Sequence, residues 1–312
     1  MKGDLDPQVE VMLDLLNDYD ISLSGDDVAE SRTQLDTMMD LAGDDPVSVG
    51  EVADVSIPVE DRELSARAYV PDGEGPFPTV AFFHGGGFVL GSLEGYDNFC
   101  RLLANRSACL VVSVDYRLAP EHPWPAGLAD AYGATRWLAS NAKRFSGDGN
   151  RLAVAGDSAG GNLSATVSLL ARERGMPDID QQILLYPATT YLEPMTSRAE
   201  NASGYFLTAE DLVWFVKQYL DNELDAYNPL CFPLSARDLS DLPPAFIMTN
   251  GFDPLRDEGI AYADRLREAG VSVEHTNYES MIHGFLNMEG IVDRAYDGID
   301  EIAAFLRDGF GR

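Results

Sequence analysis

The sequence predicts an α/β fold with a mostly parallel central sheet and helices on both faces. Short apolar runs rich in Val, Ile and Leu recur along the 312-residue chain, and helical stretches separate them. Such runs are typical of strands that are buried on both faces. Hydrophobic residues make up 45% of the chain. That share is sufficient for a large core and excludes a disordered protein.

The predicted elements follow one another from about residue 49. Two strand patterns come first, VGEVADVSIPVE and LSARAYVP. Six apolar runs predict the remaining strands: TVAFFH, LVVSVDY, RLAVAG, QILLYP, AFIMTNG and VSVEHTNY. Helical patterns occur between and after these runs, around 97–106, 126–143, 159–174, 257–269 and 291–309.

Two segments depart from this alternation. In residues 1–45, Val9, Met12 and Leu16 recur at helical spacing among many acids, which predicts helix with a polar outer face. Residues 188–243 are rich in Tyr, Phe and Trp and predict a helical insertion between two strands of the sheet.

The charge is strongly acidic, with 52 Asp and Glu against 22 Lys and Arg, a net charge of −30. Such a field repels phosphate backbones and anionic lipid, so we expect neither nucleic acid nor a membrane as a partner. Only three of the bases are Lys. An acid-rich, Lys-poor surface resembles that of halophilic proteins, and we hypothesise a protein that requires salt. An ordinary acidic protein is the alternative.

Targeting and redox signals are few. The first residues contain acids throughout and lack the continuous apolar run of a signal peptide, and a membrane span needs about 18 apolar residues in a row. We therefore expect a cytoplasmic protein. Three cysteines imply no disulfide framework, and no Cys/His cluster has metal-ligand spacing, so neither a metal nor a cofactor is expected.

One motif carries a nucleophile. Gly156-x-Ser158-x-Gly160 follows the run RLAVAG and precedes helical residues. This context predicts a sharp strand-to-helix turn that places the Ser158 hydroxyl at a helix N-terminus, above the carboxyl edge of the sheet. The alternative is a turn with only a structural role.

A run of glycines ends the strand TVAFFH. Consecutive glycines let backbone N–H groups converge on one point, as a developing oxyanion requires. We predict oxyanion donors at Gly85 and Gly86, with a third at Ala159 after the nucleophile. A flexible turn and a phosphate loop are the alternatives, although no Lys follows the glycines. His84 is expected to orient this loop.

A serine nucleophile needs a general base, and the chain has four histidines. His84 belongs to the glycine loop, His122 to a proline-rich bend, and His275 to a predicted strand. His283 lies in a loop at the end of that strand, which makes it the candidate base.

The acid is expected after a strand and between the nucleophile and the base in the chain. Asp253 directly follows AFIMTNGF, and the order Ser158, Asp253, His283 is that of α/β-hydrolases. Asp257 is the rival. It lies where a helix begins, and there an acid complements the helix dipole.

The sequence resembles the hormone-sensitive-lipase family of esterases in the α/β-hydrolase superfamily. Five motifs in order carry the resemblance: HGGGF at 84–88, DYRLAPEHPWPA at 115–126, GDSAGGNL at 156–163, LPPAFIMTNGFDPLRDEG at 242–259 and MIHGF at 281–285. The resemblance implies the triad and the donors named above, with Asp157 not catalytic. It also implies a sheet whose second strand is antiparallel.

The family's architecture implies the domain organisation. A helical cap would consist of residues 1–45 and the insertion 188–243, and the catalytic core of residues 46–187 and 244–312. The expected partner of the catalytic core is a small-molecule ester. The expected pocket residues are Phe88, Leu90, Tyr205, Phe206 and Met281.

The activity implied is hydrolysis of short-chain acyl esters through a Ser-His-Asp acyl-enzyme. Another hydrolase on the same fold, such as an acetyl-ester deacetylase or an amidase, is an alternative, because these chemistries share the same residues. A non-catalytic ligand-binding protein is a second one, which a histidine at 283 argues against. A homodimer paired through VSVEHTNY and a covered strand edge are equally compatible with the sequence.

Overall fold

The core of the molecule is one eight-stranded sheet. The structure is a computed structural model, and it describes residues 3–60 and 62–311. The strands are β1 Glu51–Val59, β2 Arg62–Val70, β3 Phe77–Phe83, β4 Leu110–Val114, β5 Gly147–Asp157, β6 Gln181–Leu185, β7 Ala245–Phe252 and β8 Val273–Ile282. They lie in the order β1-β2-β4-β3-β5-β6-β7-β8.

Strand direction follows the predicted pattern. β2 is antiparallel to both of its neighbours, β1 and β4. The strands from β4 to β8 pair in parallel. Every residue of β3, β4, β6 and β7 is buried, as expected for strands covered on both faces. The predicted α/β fold, including the antiparallel second strand, is confirmed.

Helices connect the parallel strands and cover both faces of the sheet. They are α1 Pro7–Asp18, α2 Val28–Ala42, α3 Asp97–Ser107, α4 Ala126–Asn141, α5 Ala159–Arg174, α6 Thr196–Glu200, α7 Ala209–Tyr219, α8 Arg256–Glu268 and α9 Arg294–Gly309. α3 packs against α9, and α4 packs against α5. In the two described ranges, no helix combines the length and the apolar character that crossing a membrane requires.

The carboxyl ends of the parallel strands bring the candidate residues to one edge of the sheet. His84 follows β3, Ser158 follows β5, Asp253 follows β7 and His283 follows β8. This edge is the usual location of ligand sites in open α/β sheets. The parallel arrangement of the strands therefore brings these four residues, which are far apart in the chain, together at this edge.

The N-terminal segment and the insertion between β6 and β7 contact each other. Trp214 Nε1 on α7 donates to the carbonyl of Gly25 at 2.9 Å, and Ser24 Oγ donates to Asp211 Oδ1 at 2.6 Å. α2 also reaches the glycine loop, because Arg32 Nε donates to the Val89 carbonyl at 2.9 Å. Both segments thus lie over the same edge of the sheet.

Candidate active site

The nucleophile candidate occupies a strained turn between β5 and α5. Ser158 has φ 54° and ψ −114°, a conformation that costs free energy for a residue with a Cβ. Its glycine neighbours permit the turn, because a Cβ on residue 160 would overlap the carbonyl oxygen of Phe83 at the end of β3. The turn therefore needs the small residues that the motif supplies.

Backbone hydrogen bonds fix this turn against β6. The Ser158 N–H donates to the Leu185 carbonyl at 2.8 Å. The Ser158 carbonyl accepts from the N–H groups of Asn162 at 3.0 Å and Ala188 at 3.2 Å. These three hydrogen bonds restrict the backbone of the strained residue, so the Ser158 hydroxyl is held in place.

A hydrogen-bonded chain links Ser158, His283 and Asp253. The distance from His283 Nε2 to Ser158 Oγ is 2.9 Å, and that from His283 Nδ1 to Asp253 Oδ2 is 2.7 Å. All three side chains are buried, and Asp253 is fully so. The arrangement has the geometry of a nucleophile, a base and an acid that orients the base.

Further contacts hold the acid and the base. Asp253 Oδ1 accepts the N–H of Leu255 at 2.8 Å, and Asn201 Nδ2 donates to the Asp253 carbonyl at 3.0 Å. The ring of Tyr186 packs edge-on against His283, with centroids 4.9 Å apart. The imidazole is therefore held both by a hydrogen bond and by an aromatic wall.

The competing acid and histidines serve other contacts. Asp257 accepts from the Ser197 N–H at 2.8 Å. The Nδ1–H of His84 donates to the Gly85 carbonyl at 2.7 Å, and complete burial lowers the pKa of His84 to about 4. His275 Nε2 lies 2.9 Å from Thr249 Oγ1, and His122 is exposed.

The glycine loop differs from expectation at Gly85. Its N–H donates to the hydroxyl of Tyr96 at 3.1 Å, and that hydroxyl donates to Asp157 Oδ2 at 3.0 Å. A Cβ on residue 85 would lie 2.5 Å from the same carboxylate oxygen. Gly85 is thus needed for a close approach, and its N–H is engaged away from Ser158.

The next two glycines lie beside the nucleophile. Gly86 and Gly87 have φ values of 107° and 61° and line a cavity at Ser158. Neither N–H donates to an acceptor in the described part of the chain. Ala159 is the first residue of α5, where the N–H has no partner within the helix. The N–H groups of Gly86 and Ala159, two of the expected donors, therefore remain available. The N–H of Gly87 is available beside the nucleophile, where a donor from Gly85 was expected.

Asp157 lies directly behind this loop. Burial raises its pKa to about 6, against the opposing effect of the Tyr96 hydrogen bond. Its second carboxylate oxygen, Oδ1, has no hydrogen-bond partner among the described residues. The carboxyl thus contacts the loop through Tyr96 and lies next to the nucleophile in the chain without taking part in the Ser-His-Asp chain.

Two small cavities meet at Ser158. One has a volume of about 40 Å³ and extends toward α2, and the other has a volume of about 50 Å³ and extends toward the insertion. Phe206 lines the first and Phe88 lines the second. Phe215 on α7 lines both, and so does Leu207.

Three expected pocket residues line neither cavity. Leu90 and Met281 are fully buried in the hydrophobic core. Tyr205 packs against the ring of Phe252, with centroids 5.0 Å apart. These residues neighbour the motifs in the chain, but their side chains pack into the protein interior.

Sequence reasoning missed the lining that α2 supplies. Leu35, Met38 and Met39 line the cavity of about 40 Å³. Their spacing of three and four residues marks one face of a helix, which is the signal that could have identified them. The pattern alone does not show which surface that face covers.

No group of three or more His, Cys, Asp or Glu side chains in the described ranges is arranged to hold a metal ion. All three cysteines are free thiols in buried positions.

Comparisons with known proteins agree on one family. A family model described as the α/β hydrolase fold matches residues 80–287. The chain is 41% identical to the carboxylic ester hydrolase LipN of Mycobacterium tuberculosis, over 99% of this chain and 84% of that protein.

Two solved structures extend the comparison to three dimensions. An ester hydrolase from the metagenome of Lake Arreo, solved with a bipyridine phosphonate derivative, matches with a TM-score of 0.94 at 41% identity over 99% of this chain and 100% of that one. A hyperthermophilic esterase from Pyrobaculum calidifontis matches with a TM-score of 0.91 at 39% identity over 98% and 99% of the two chains.

Proposed function

This chain belongs to the α/β-hydrolase-fold family, and from that premise we propose that it hydrolyses carboxylic esters of short-chain acids through Ser158, His283 and Asp253. The observation that carries the proposal is the continuous chain of hydrogen bonds from the Ser158 hydroxyl through His283 to the buried Asp253. Relatives named as ester hydrolases over nearly the whole chain support the reaction class.

The reaction proceeds in two acyl transfers. His283 Nε2 takes the proton of Ser158 while Oγ attacks the ester carbonyl carbon, and the imidazolium then gives that proton to the departing alcohol. Water attacks the acyl-enzyme in the second half, with His283 again accepting and returning the proton. Asp253 holds the ring orientation and stabilises its cation in both halves.

The tetrahedral oxyanion needs backbone donors. We assign this role to Gly86, Gly87 and Ala159, in place of the set that included Gly85. The N–H groups of Gly86 and Gly87 are not engaged by the protein, whereas that of Gly85 binds Tyr96. One such donor is typically worth about 3 kcal/mol in the transition state.

The small cavities support short acyl chains. About 40 Å³ and 50 Å³ on the two sides of Ser158 leave space for a few carbon atoms on each side. A group the size of one water molecule needs roughly 10–15 Å³ of such cavity space, so each side holds about three or four groups of that size. Acetyl and butyryl esters fit such a site, and octanoyl and palmitoyl esters require the surrounding helices to move.

The experiment that tests this function uses the purified protein and a fluorophosphonate probe. We expect one label per chain on Ser158, and kcat/KM for 4-nitrophenyl esters that is highest at acetyl or butyryl and falls toward palmitoyl. Absence of labelling, together with no turnover of any ester in the series, would refute the proposal.

We also propose that residues 1–45 and 188–243 form one cap over a core of residues 46–187 and 244–312. The contacts of Trp214 with Gly25 and of Ser24 with Asp211 support it. So does the cavity at Ser158, which takes part of its lining from each segment. The cap would then determine which esters reach the nucleophile.

Two properties of the whole protein belong to the same proposal. The excess of carboxylates supports a protein that needs salt for full stability. β8 is the last strand of the sheet, and its outer edge supports a homodimer that pairs two copies of this strand. Sedimentation velocity in molar salt tests the dimer, and a single monomeric species at micromolar concentrations would contradict it.

A further inference from the structure

The loop from Gly86 to Leu90 carries two of the proposed oxyanion donors. The carbonyl of Gly86 accepts the N–H groups of Val89 at 3.0 Å and Leu90 at 2.8 Å. This carbonyl and the N–H of Gly87 belong to one planar trans peptide unit, in which they point in opposite directions. The two hydrogen bonds to the carbonyl therefore also fix the direction of the Gly87 N–H.

The backbone of this loop is strained. Gly86, Gly87 and Phe88 have consecutive positive φ values of 107°, 61° and 66°, and the last of them belongs to a residue with a Cβ. Such a conformation persists only where the surroundings hold it. One support is the Ala119 N–H, which donates to the Phe88 carbonyl at 2.9 Å. Another is the ring of Tyr219, which stacks on that of Phe88.

Arg32 of α2 holds the loop from its outer side. Its Nε donates to the Val89 carbonyl at 2.9 Å, and its Nη2 donates to the Ala119 carbonyl at 3.1 Å. Val89 and Ala119 are fully buried, and a buried carbonyl without a partner costs free energy. One guanidinium thus joins the oxyanion loop to the segment that supports Phe88.

Glu121 fixes the orientation of this guanidinium. Its two carboxylate oxygens accept from Arg32 Nη1 at 2.8 Å and from Nη2 at 2.7 Å. The hydrogen bond from Arg32 lowers the pKa of Glu121 to about 2, so the pair is charged at the pH of an esterase assay. A planar fork that is bound on both sides has one orientation, which a lysine cannot reproduce.

The origin of this guanidinium in the chain is unusual. Residues 3–45 contain 13 acids and a single base, Arg32. Arg32 lies one helical turn before Leu35, which lines a cavity at Ser158, but it lines neither cavity itself. Its four hydrogen bonds all go to the two loops of the catalytic core.

We propose that Arg32 is a positioning residue that holds the loop Gly86–Leu90 in its oxyanion-binding conformation. It acts through the carbonyls of Val89 and Ala119 and touches no reacting atom. This inference rests on the proposed ester hydrolysis. Loss of the guanidinium should weaken stabilisation of the transition state and leave binding of the ground-state ester nearly unchanged.

The first test is the hydrolysis of 4-nitrophenyl butyrate by Arg32→Gln. We expect kcat and kcat/KM to fall together by about tenfold or more, with KM within about twofold, because the lost interaction acts only in the transition state. Glu121→Gln keeps both carbonyl bonds of Arg32 and should lower kcat by less than about threefold. Arg267→Gln is the matched control. It removes an arginine that is paired with Asp264 on α8, and kcat should stay unchanged.

A second measurement reports on the oxyanion itself. Ser158 Oγ adds to the carbonyl carbon of 1,1,1-trifluoro-2-hexanone, His283 takes the serine proton, and the ketone oxygen becomes an oxyanion in the donor site. The inhibition constant of this ketone should rise by about tenfold in Arg32→Gln. That of 2-hexanone, which binds as the neutral ketone, should change by less than about twofold. If Arg32 only docked α2, both constants would shift alike.

Circular dichroism and the melting temperature establish that the variants are folded. If Arg32→Gln does not fold, Arg32→Lys takes its place, since it keeps the charge but lacks the fork, and the same changes are expected. An unchanged kcat in the folded variant, an equal loss in Glu121→Gln, or equal shifts for the two ketones would overturn this role of Arg32. No ester hydrolysis by the unsubstituted protein would instead refute the proposed function.

Discussion

At the scale of single residues, the site combines a strained nucleophile with groups that hold it. Ser158 has a positive φ. The close contact of its turn with the end of β3 and its hydrogen bond to the end of β6 hold that conformation. Behind it, Asp157 and Tyr96 fix Gly85 and leave the next two glycines to face the substrate. The loop is thus oriented by a carboxyl that plays no part in proton transfer.

The titration of Asp157 gives a prediction about pH. Its pKa is about 6 in the folded protein against an ordinary value of 3.8, so between those values the folded state binds more protons than the unfolded chain. Stability contributed by this group therefore falls as pH rises. From pH 5 to pH 7.5 the unfolding free energy falls by about 1.4 kcal/mol. This is the value of one pKa unit, the distance between pH 5 and the pKa of the folded state.

Asp157→Asn removes this titration and is the test. Urea denaturation at pH 5 and pH 7.5, in constant molar salt, should show a smaller loss of unfolding free energy in the variant, by about 1.4 kcal/mol. Equal losses in both proteins would mean that the carboxyl titrates near its ordinary value, and the burial argument would fail.

Single residues also show how far the sequence alone could lead. Ser158, Asp253 and His283 follow from chain order, because parallel strands deliver their carboxyl ends to one edge. The use of Gly85 could not be predicted in the same way, since its partner Tyr96 comes from the start of the next helix. Adjacent glycines have the same local pattern, and only tertiary contact separates their roles.

At the scale of elements, the close contact of α5 with β3 is the feature on which the nucleophile turn depends. We predict that Gly160→Ala lowers the unfolding free energy by about 3 kcal/mol or more, because the added Cβ overlaps the Phe83 carbonyl. Gly175→Ala at the other end of α5 is the matched control. There the φ of 67° is unfavourable for alanine but nothing lies within 4 Å, so the cost should be about 1 kcal/mol. Equal costs would contradict the packing argument.

Helix α7 determines the size of the substrate cavities. The ring of Phe215 lines both of them and packs directly against Gly87. Phe215→Ala should join the two cavities and raise the ratio of kcat/KM for octanoyl over butyryl esters by about tenfold, since about 1.4 kcal/mol of steric cost is relieved.

The control for this substitution comes from the same helix. Val213 is 40% exposed and lines neither cavity, so Val213→Ala should leave the acyl-chain ratio unchanged. An unchanged ratio in Phe215→Ala, with both variants folded, would show that α7 does not limit chain length.

Elements were easier to predict from the sequence than their docking. The strands and the helices α3, α4, α5, α8 and α9 follow the apolar runs and helical periods of the core, where local pattern and burial agree. The aromatic-rich insertion was predicted to be helical, but the contact of Trp214 with Gly25 joins residues 189 positions apart. No local pattern specifies such a partner, and so the sequence did not identify the lining from α2, and packing within the cap was favoured for Phe215.

At the scale of the whole molecule, the charge is the dominant property. With 52 acids and 22 bases, carboxylates outnumber basic side chains by 30. Their mutual repulsion opposes the compact state at low ionic strength. The Debye length falls from about 10 Å at 0.1 M to about 3 Å at 1 M, which removes most of that repulsion.

We therefore predict that the protein gains stability with salt. The melting temperature should rise by about 5 °C or more between 0.1 M and 1 M KCl, corresponding to about 3 kcal/mol for a chain of this size. The rise should level off above 1 M, where screening is nearly complete. A melting temperature that is flat or falls across this range would refute the salt requirement.

The central claim is that Ser158 is the nucleophile of an ester hydrolase, and one kinetic comparison tests it most directly. Hydrolysis of 4-nitrophenyl butyrate should be measured for the unsubstituted protein, for Ser158→Ala and for Ser168→Ala, which loses a hydroxyl on the same helix away from the site. We predict that kcat falls by about 10⁴-fold or more in Ser158→Ala and stays within about twofold in Ser168→Ala. Turnover by a folded Ser158→Ala protein at the rate of the unsubstituted one would contradict the mechanism.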